Sequence, residues 1–126
     1  MSKTIHREAD ALPTILILED EVMTALDLEG MCVDFGYRVI GPYGSLDQAN
    51  SAVDALDACD MPTHALLDVD VVGGTSYTLA SRLEALGVAV TFVTAQSREV
   101  LRRLPCAKIV DKPFCRRSLG IHLASA

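Results

Sequence analysis

The chain has 126 residues, half of them apolar, with three Phe, three Tyr and no Trp, which suits one compact domain with an aliphatic core and is too short for two ordinary ones. Its formal charge of −6 argues against general nucleic-acid binding. The total hides a split, because residues 1–96 carry four Lys/Arg against fifteen Asp/Glu while residues 97–126 carry seven against two; the basic end suits an acidic partner or the acidic part of a second copy.

Cys32, Cys59, Cys106 and Cys115 form no C-x-x-C pair, and no run resembles a signal peptide or reaches the roughly 18 apolar residues of a spanning helix. A reduced, cytoplasmic setting without membrane contact is the expectation. His6, His64 and His122 show no ligand spacing, so zinc is not expected.

Residues 1–12 lack sustained periodicity and predict an N-terminal tail, leaving 13–126 as the domain. "TILIL" (14–18) is a continuous apolar run of the kind a strand covered on both faces has. After the acids "EDE" (19–21), Val22, Leu26, Cys32 and Val33 fall roughly at helical spacing before Gly36. "YRVIG" (37–41) predicts a second strand, and "SLDQ" (45–48) is a Ser-x-x-Gln capping box opening a helix to about Ala58. "HALLD" (64–68) is a third strand, "TSYTLASRLEAL" (75–86) a helix stopped by Gly87, and "VAVTFVT" (88–94) a fourth strand. "SREVLRRL" (97–104) is a short helix ended by Pro105, "AKIVD" (107–111) a fifth strand, and "RRSLGIHLA" (116–124) a last helix that Gly120 weakens. Five strands separated by helices imply an α/β, doubly wound parallel sheet with ligands at the carboxyl ends of its strands.

Those ends carry Glu19 and Asp20, then Asp68 and Asp70, then Thr94, then Lys112. Carboxylates gathered this closely raise one another's pKa unless a cation is present, and Mg²⁺ in a wet site of hard oxygen ligands fits best. A metal beside an aspartate, with an amine and a hydroxyl for the phosphoryl oxygens, suits phosphoryl transfer to a carboxylate.

Through "ILILEDE", "ALLDVDV", "VTFVTA" and "KIVDKPF", over about residues 13–124, the chain resembles the response-regulator receiver domains of two-component signalling. The resemblance implies a flavodoxin-like five-stranded sheet of order 2-1-3-4-5. It also implies that Asp68 is the phospho-acceptor, that Asp20 binds Mg²⁺ directly and Glu19 through a water, and that Asp70 lends its backbone carbonyl. Thr94 matches the switch hydroxyl, Ala95 the small residue that leaves the phosphoryl group room, and Lys112 the phosphate-pairing lysine, with Lys112-Pro113 expected cis. The implied partners are a sensor histidine kinase or histidine phosphotransfer protein, docking near Val22, Met23 and Leu26 together with the loop after Lys112, and a downstream protein target. That target, or a second copy in a homodimer, would meet the basic face of Arg98, Arg102, Arg103, Lys108, Arg116 and Arg117. No DNA-binding module follows, so a stand-alone regulator that catalyses only its own phosphorylation and dephosphorylation is expected.

Three features depart from the family pattern. Ile109 stands where a switch aromatic is usual, the Thr94–Lys112 interval is short and predicts a short or irregular fourth helix, and a Gly and Ser replace the common Pro-x-x-x-Gly after the acceptor. The last feature is similar to single-domain receivers paired with certain alphaproteobacterial sensor kinases, whose Gly and aromatic soon after the Thr are missing from "VTAQSREV". Two rivals remain open. "LLDVDVV" also fits the haloacid-dehalogenase-type phosphatase motif, with Asp68 as nucleophile and Asp70 as acid/base, although that motif belongs on a first strand and needs an acidic pair after the lysine. The other rival is a receiver-like binding module that is never phosphorylated.

Overall fold

The computed structural model describes residues 12–124, so the expected tail lies outside the described residues except for Leu12. In chain order the elements are β1 (Thr14–Leu18), α1 (Val22–Asp34), β2 (Arg38–Tyr43), α2 (Leu46–Asp54), β3 (His64–Leu67), β4 (Asp70–Val71) and β5 (Gly74–Thr75). They continue with α3 (Tyr77–Ala85), β6 (Ala89–Thr94), α4 (Ser97–Arg103), β7 (Lys108–Asp111) and α5 (Arg116–Ala124). The main sheet runs β2-β1-β3-β6-β7 with every pair parallel. Counting only its five strands, this is the 2-1-3-4-5 order of the flavodoxin-like, doubly wound fold.

The two-residue period of the strands builds one core on each face. Ile15, Ile17, Leu66, Val93 and Val110 point to one side, where Leu28 and Cys32 of α1 and Leu119 and Leu123 of α5 cover them. Leu16, Leu18, Ala65, Leu67, Val90 and Phe92 point to the other, beneath Ala49 and Val53 of α2, Leu79 and Leu83 of α3, and Val100 of α4. The continuous apolar runs therefore belong to strands buried twice over.

Local differences from the sequence reading have local causes. α1 buries Ala25, Leu28 and Cys32, whereas Val22, Leu26 and Val33 are exposed. The helix carries two apolar stripes, and the one that docks on the sheet is the narrower row at i, i+3 and i+7. α2 ends at Asp54, and residues 58–60 form a separate 3₁₀ turn. Ser45 accepts the Gln48 N–H at 3.2 Å, while Gln48 Oε1 accepts from Gly44 rather than from the cap residue. β2 runs on through the cis Gly41-Pro42 bond to Tyr43. The segment after Asp68 forms the antiparallel β4–β5 hairpin, which delays α3 to Tyr77; Gly73 and Gly74, at φ +104° and +134°, allow its turn. Gly120 sits in α5 where a Cβ would lie 3.1 Å from the Phe35 ring, so the apparent helix weakness is a place of close approach.

Candidate functional site at the carboxyl edge of the sheet

The parallel register brings the expected residues to one edge. Leu18 pairs with Leu67 and Leu67 with Phe92, so Glu19 and Asp20, Asp68, and Thr94 leave neighbouring strands together. Thr94 pairs with Asp111, and its carbonyl accepts the Lys112 N–H at 2.9 Å. The Lys112-Pro113 bond that follows is cis.

The side chains converge as the strand ends do. Carboxylate oxygens of Glu19, Asp20 and Asp68 all lie within 4.8 Å of one another. Lys112 Nζ stands 2.6 Å from Glu19 Oε1 and 3.0 Å from Asp68 Oδ2. Asp68 Oδ1 accepts the Val69 N–H at 2.8 Å, and Glu19 Oε2 accepts the Glu21 N–H at 3.1 Å. Glu19 is buried, Asp68 and Lys112 are half-buried, and Asp20 is exposed.

Burial pushes the Glu19 carboxyl above its ordinary pKa, and the Asp68 charge adds to the effect, against the Lys112 bond and the Glu21 N–H. For Lys112, burial acts to lower the pKa but is outweighed by its bonds to Glu19 and Asp68, and the ammonium is held above its usual range. The arrangement is thus a cluster of three hard-oxygen donors with one ammonium lodged among them, suited to a small divalent cation and an incoming anion.

The remaining expected residues occupy the rim. Thr94 is buried, with its Oγ1 accepting the Gln96 N–H at 3.0 Å, and Ala95 is exposed beside it. Asp70 is exposed at the start of β4, paired with Thr75, and its carboxylate is not one of the three that cluster. The edge therefore gathers three carboxylates rather than four, because the hairpin turns Asp70 into a strand residue. Ile109 lies half-buried on β7, packed with the core beneath α2, α3 and α4.

One residue enters the sequence reading only as a departure from the family pattern, with no role attached. Ser76 is fully buried and donates to the Asp68 backbone carbonyl at 2.6 Å. Its place just after a Gly-Gly turn is the signal for a buried role, which the helix pattern from Thr75 onward obscures.

No protein-family model matches the chain. It is 33% identical over 122 residues to the phyllosphere-induced regulator PhyR of Methylorubrum extorquens, a match covering 94% of this chain and 45% of that protein. The chain thus spans less than half the length of this curated relative.

Among solved structures it resembles the PhyR response-regulator receiver domain of Erythrobacter litoralis, with a TM-score of 0.78 at 24% identity over 90% of this chain and 88% of that one. The receiver domain of a modulated diguanylate cyclase from Desulfovibrio desulfuricans gives a TM-score of 0.73 at 25% identity, covering 91% and 93%. A Pseudomonas aeruginosa sensor-kinase receiver domain, solved with magnesium in its active-site cleft, gives 0.74 at 23% identity, covering 90% and 95%. The sheet order, the acidic edge and the PhyR likeness point the same way: the chain has the receiver fold, and its structural neighbours are response-regulator receiver domains.

Proposed function

We propose that this chain is a response-regulator receiver domain that accepts a phosphoryl group on Asp68 from a phosphohistidine of a sensor histidine kinase or histidine phosphotransfer protein. The observation that carries the reading is the position of Lys112 Nζ, 3.0 Å from Asp68 Oδ2 and 2.6 Å from Glu19 Oε1. A half-buried ammonium beside a three-carboxylate cluster has a clear chemical use when an anion arrives.

In the transfer, a carboxylate oxygen of Asp68 forms the new P–O bond as the P–N bond to the donor imidazole breaks. The bonding pair returns to that nitrogen, which takes a proton from solvent. Lys112 pairs with the phosphoryl oxygens, the Thr94 hydroxyl donates to another, and Ala95 leaves the group room. Asp20, Asp68 and the Asp70 backbone carbonyl would hold Mg²⁺, with Glu19 acting through a water. The three clustered carboxylates are a hard-oxygen donor set that fits this ion. When bound, the ion supplies positive charge beside the phosphoryl oxygens.

The donor would dock on the exposed apolar stripe of α1, where Val22, Met23 and Leu26 are each more than half exposed. Output would pass by protein contact or phosphorelay through the face of α4, β7 and α5. Its basic residues suit an acidic target or a second copy, in a cytoplasmic setting and without nucleic acid or membrane.

The test follows labelled phosphate from candidate kinases and from acetyl phosphate onto wild type and Asp68→Asn, with and without Mg²⁺. Label on wild type only, and only with Mg²⁺, is expected. A wild type that stays unlabelled would make this an unphosphorylated binding module, and steady hydrolysis of a phosphate ester would make it a phosphatase.

A further inference from the structure

Ser76 occupies the N-cap position of α3, yet its side chain makes no cap hydrogen bond. A cap serine ordinarily accepts an N–H from the first turn of its helix. Here the fully buried hydroxyl donates instead to the Asp68 carbonyl at 2.6 Å, and the Ser76 N–H donates to the Val69 carbonyl at 2.9 Å.

We infer that Ser76 is a positioning residue for phosphoryl transfer at Asp68, an inference that rests on the function proposed above. Two consecutive carbonyls, of Asp68 and Val69, are tied to one residue at the head of α3. The two peptide planes that follow Asp68 are thereby fixed against the helix. The first of them also carries the Val69 N–H that holds Asp68 Oδ1 at 2.8 Å, so the carboxylate and the backbone are set together. The second leads directly to Asp70, whose own carbonyl is the proposed backbone ligand.

Between the tied planes and Ser76 the hairpin's own ladder consists of the Asp70–Thr75 and Val71–Gly74 pairs. A two-residue ladder is too short to hold its own shape. The Ser76 bonds close its base, and the bridge between Ser45 and Val72, with Leu46 N–H donating to the Val72 carbonyl at 3.0 Å, steadies its tip. Reaction at a carboxylate depends on the alignment of the attacking oxygen, so loosening this closure acts on chemistry through geometry. Ser76 acts through the backbone and touches neither phosphoryl group nor cation.

The experiment compares wild type, Ser76→Ala and Ser76→Cys. It measures Mg²⁺ affinity by calorimetry, the rate of labelling from acetyl phosphate, and thermal unfolding without Mg²⁺. Ser76→Ala is expected to weaken Mg²⁺ binding and slow labelling each by about fivefold, the size of one hydrogen bond's net contribution. Ser76→Cys, close in volume but a weak donor, is expected to show the same losses in a folded protein. Either folded variant with wild-type Mg²⁺ affinity and labelling rate overturns the inference, and so does a drop in unfolding temperature unaccompanied by those two losses. If Ser76→Ala does not fold, the Cys variant decides. A wild type that takes up neither Mg²⁺ nor phosphate overturns the proposed function and this role with it; an active wild type with indifferent variants overturns this role alone.

Discussion

Gly41 shows how one missing side chain supports the acidic edge. It sits at φ +95°, and a Cβ there would meet the Tyr43 backbone nitrogen at 2.8 Å and the Ile17 carbonyl oxygen at 3.0 Å. Both obstacles are backbone, so neither can swing aside. The same turn presents the Tyr43 carbonyl that accepts the Glu19 N–H at 2.9 Å, which starts the acidic pair on its course. Gly36 has a similar φ of +92° but nothing within 4 Å of a built Cβ. The two positions therefore separate a collision from a torsional penalty. Gly41→Ala is expected to cost about 3 kcal/mol in urea unfolding, against about 1 kcal/mol for Gly36→Ala. Equal losses would mean that the contact with Tyr43 and Ile17 relaxes without cost.

α4 has seven residues, one of them buried, Val100. Arg103 anchors it further, its guanidinium 4.3 Å above the Tyr77 ring centroid, while Tyr77 packs on Phe92 of β6. Past its end, a cleft of about 460 Å³ opens over Val90, Phe92, Leu104, Pro105 and Ala107. An element with so few apolar contacts opens at low free energy. Amide exchange in α4 is expected to be much faster than in the buried turns of α1, and to slow when Asp68 is phosphorylated. Unchanged exchange on phosphorylation would dissociate α4 from the site. Val100→Ala is expected to lose about 2–3 kcal/mol and to bring α4 exchange close to the unprotected rate.

The short α4 was legible in the sequence because Pro105 closes a brief window after Thr94. β1 and α5 match their expected bounds for a related reason, since an apolar run between breakers and a helix bounded by chain chemistry leave little choice. The β4–β5 hairpin was not legible, because four paired residues with two glycines carry no period to detect. The buried face of α1 was missed because two apolar stripes compete and only the sheet decides between them. At the edge, Asp20, Asp68, Thr94 and Lys112 could be placed from strand ends alone. The Ser76 bond could not, since it depends on where α3 begins.

Charge is distributed over the protein so that some of its basic end is already engaged. Arg102 pairs with Glu99 at 2.8 Å, Arg116 with Asp34 of α1 at 2.6 Å, and Arg103 covers Tyr77. Arg98, Lys108 and Arg117 have no ion-pair partner among the described residues. Exposed pairs of this sort contribute about 0–1 kcal/mol, so they exchange readily for contacts with another acidic surface. Unpaired exposed arginines contribute even less to folding, which makes Arg98 and Arg117 the cleanest positions to reverse. The double variant Arg98→Glu/Arg117→Glu is expected to unfold within about 0.5 kcal/mol of wild type and to take phosphate from acetyl phosphate at the same rate. If a second copy meets this face, sedimentation should show self-association of the phosphorylated wild type that weakens as salt rises through a Debye length of about 8 Å at 0.15 M, and the double variant should stay monomeric throughout. Self-association retained in the double variant would move the interface elsewhere on the protein. A phosphorylated wild type that is monomeric at every salt concentration would exclude the second copy and leave the acidic target, whose binding should then show the same salt slope and the same loss in the variant.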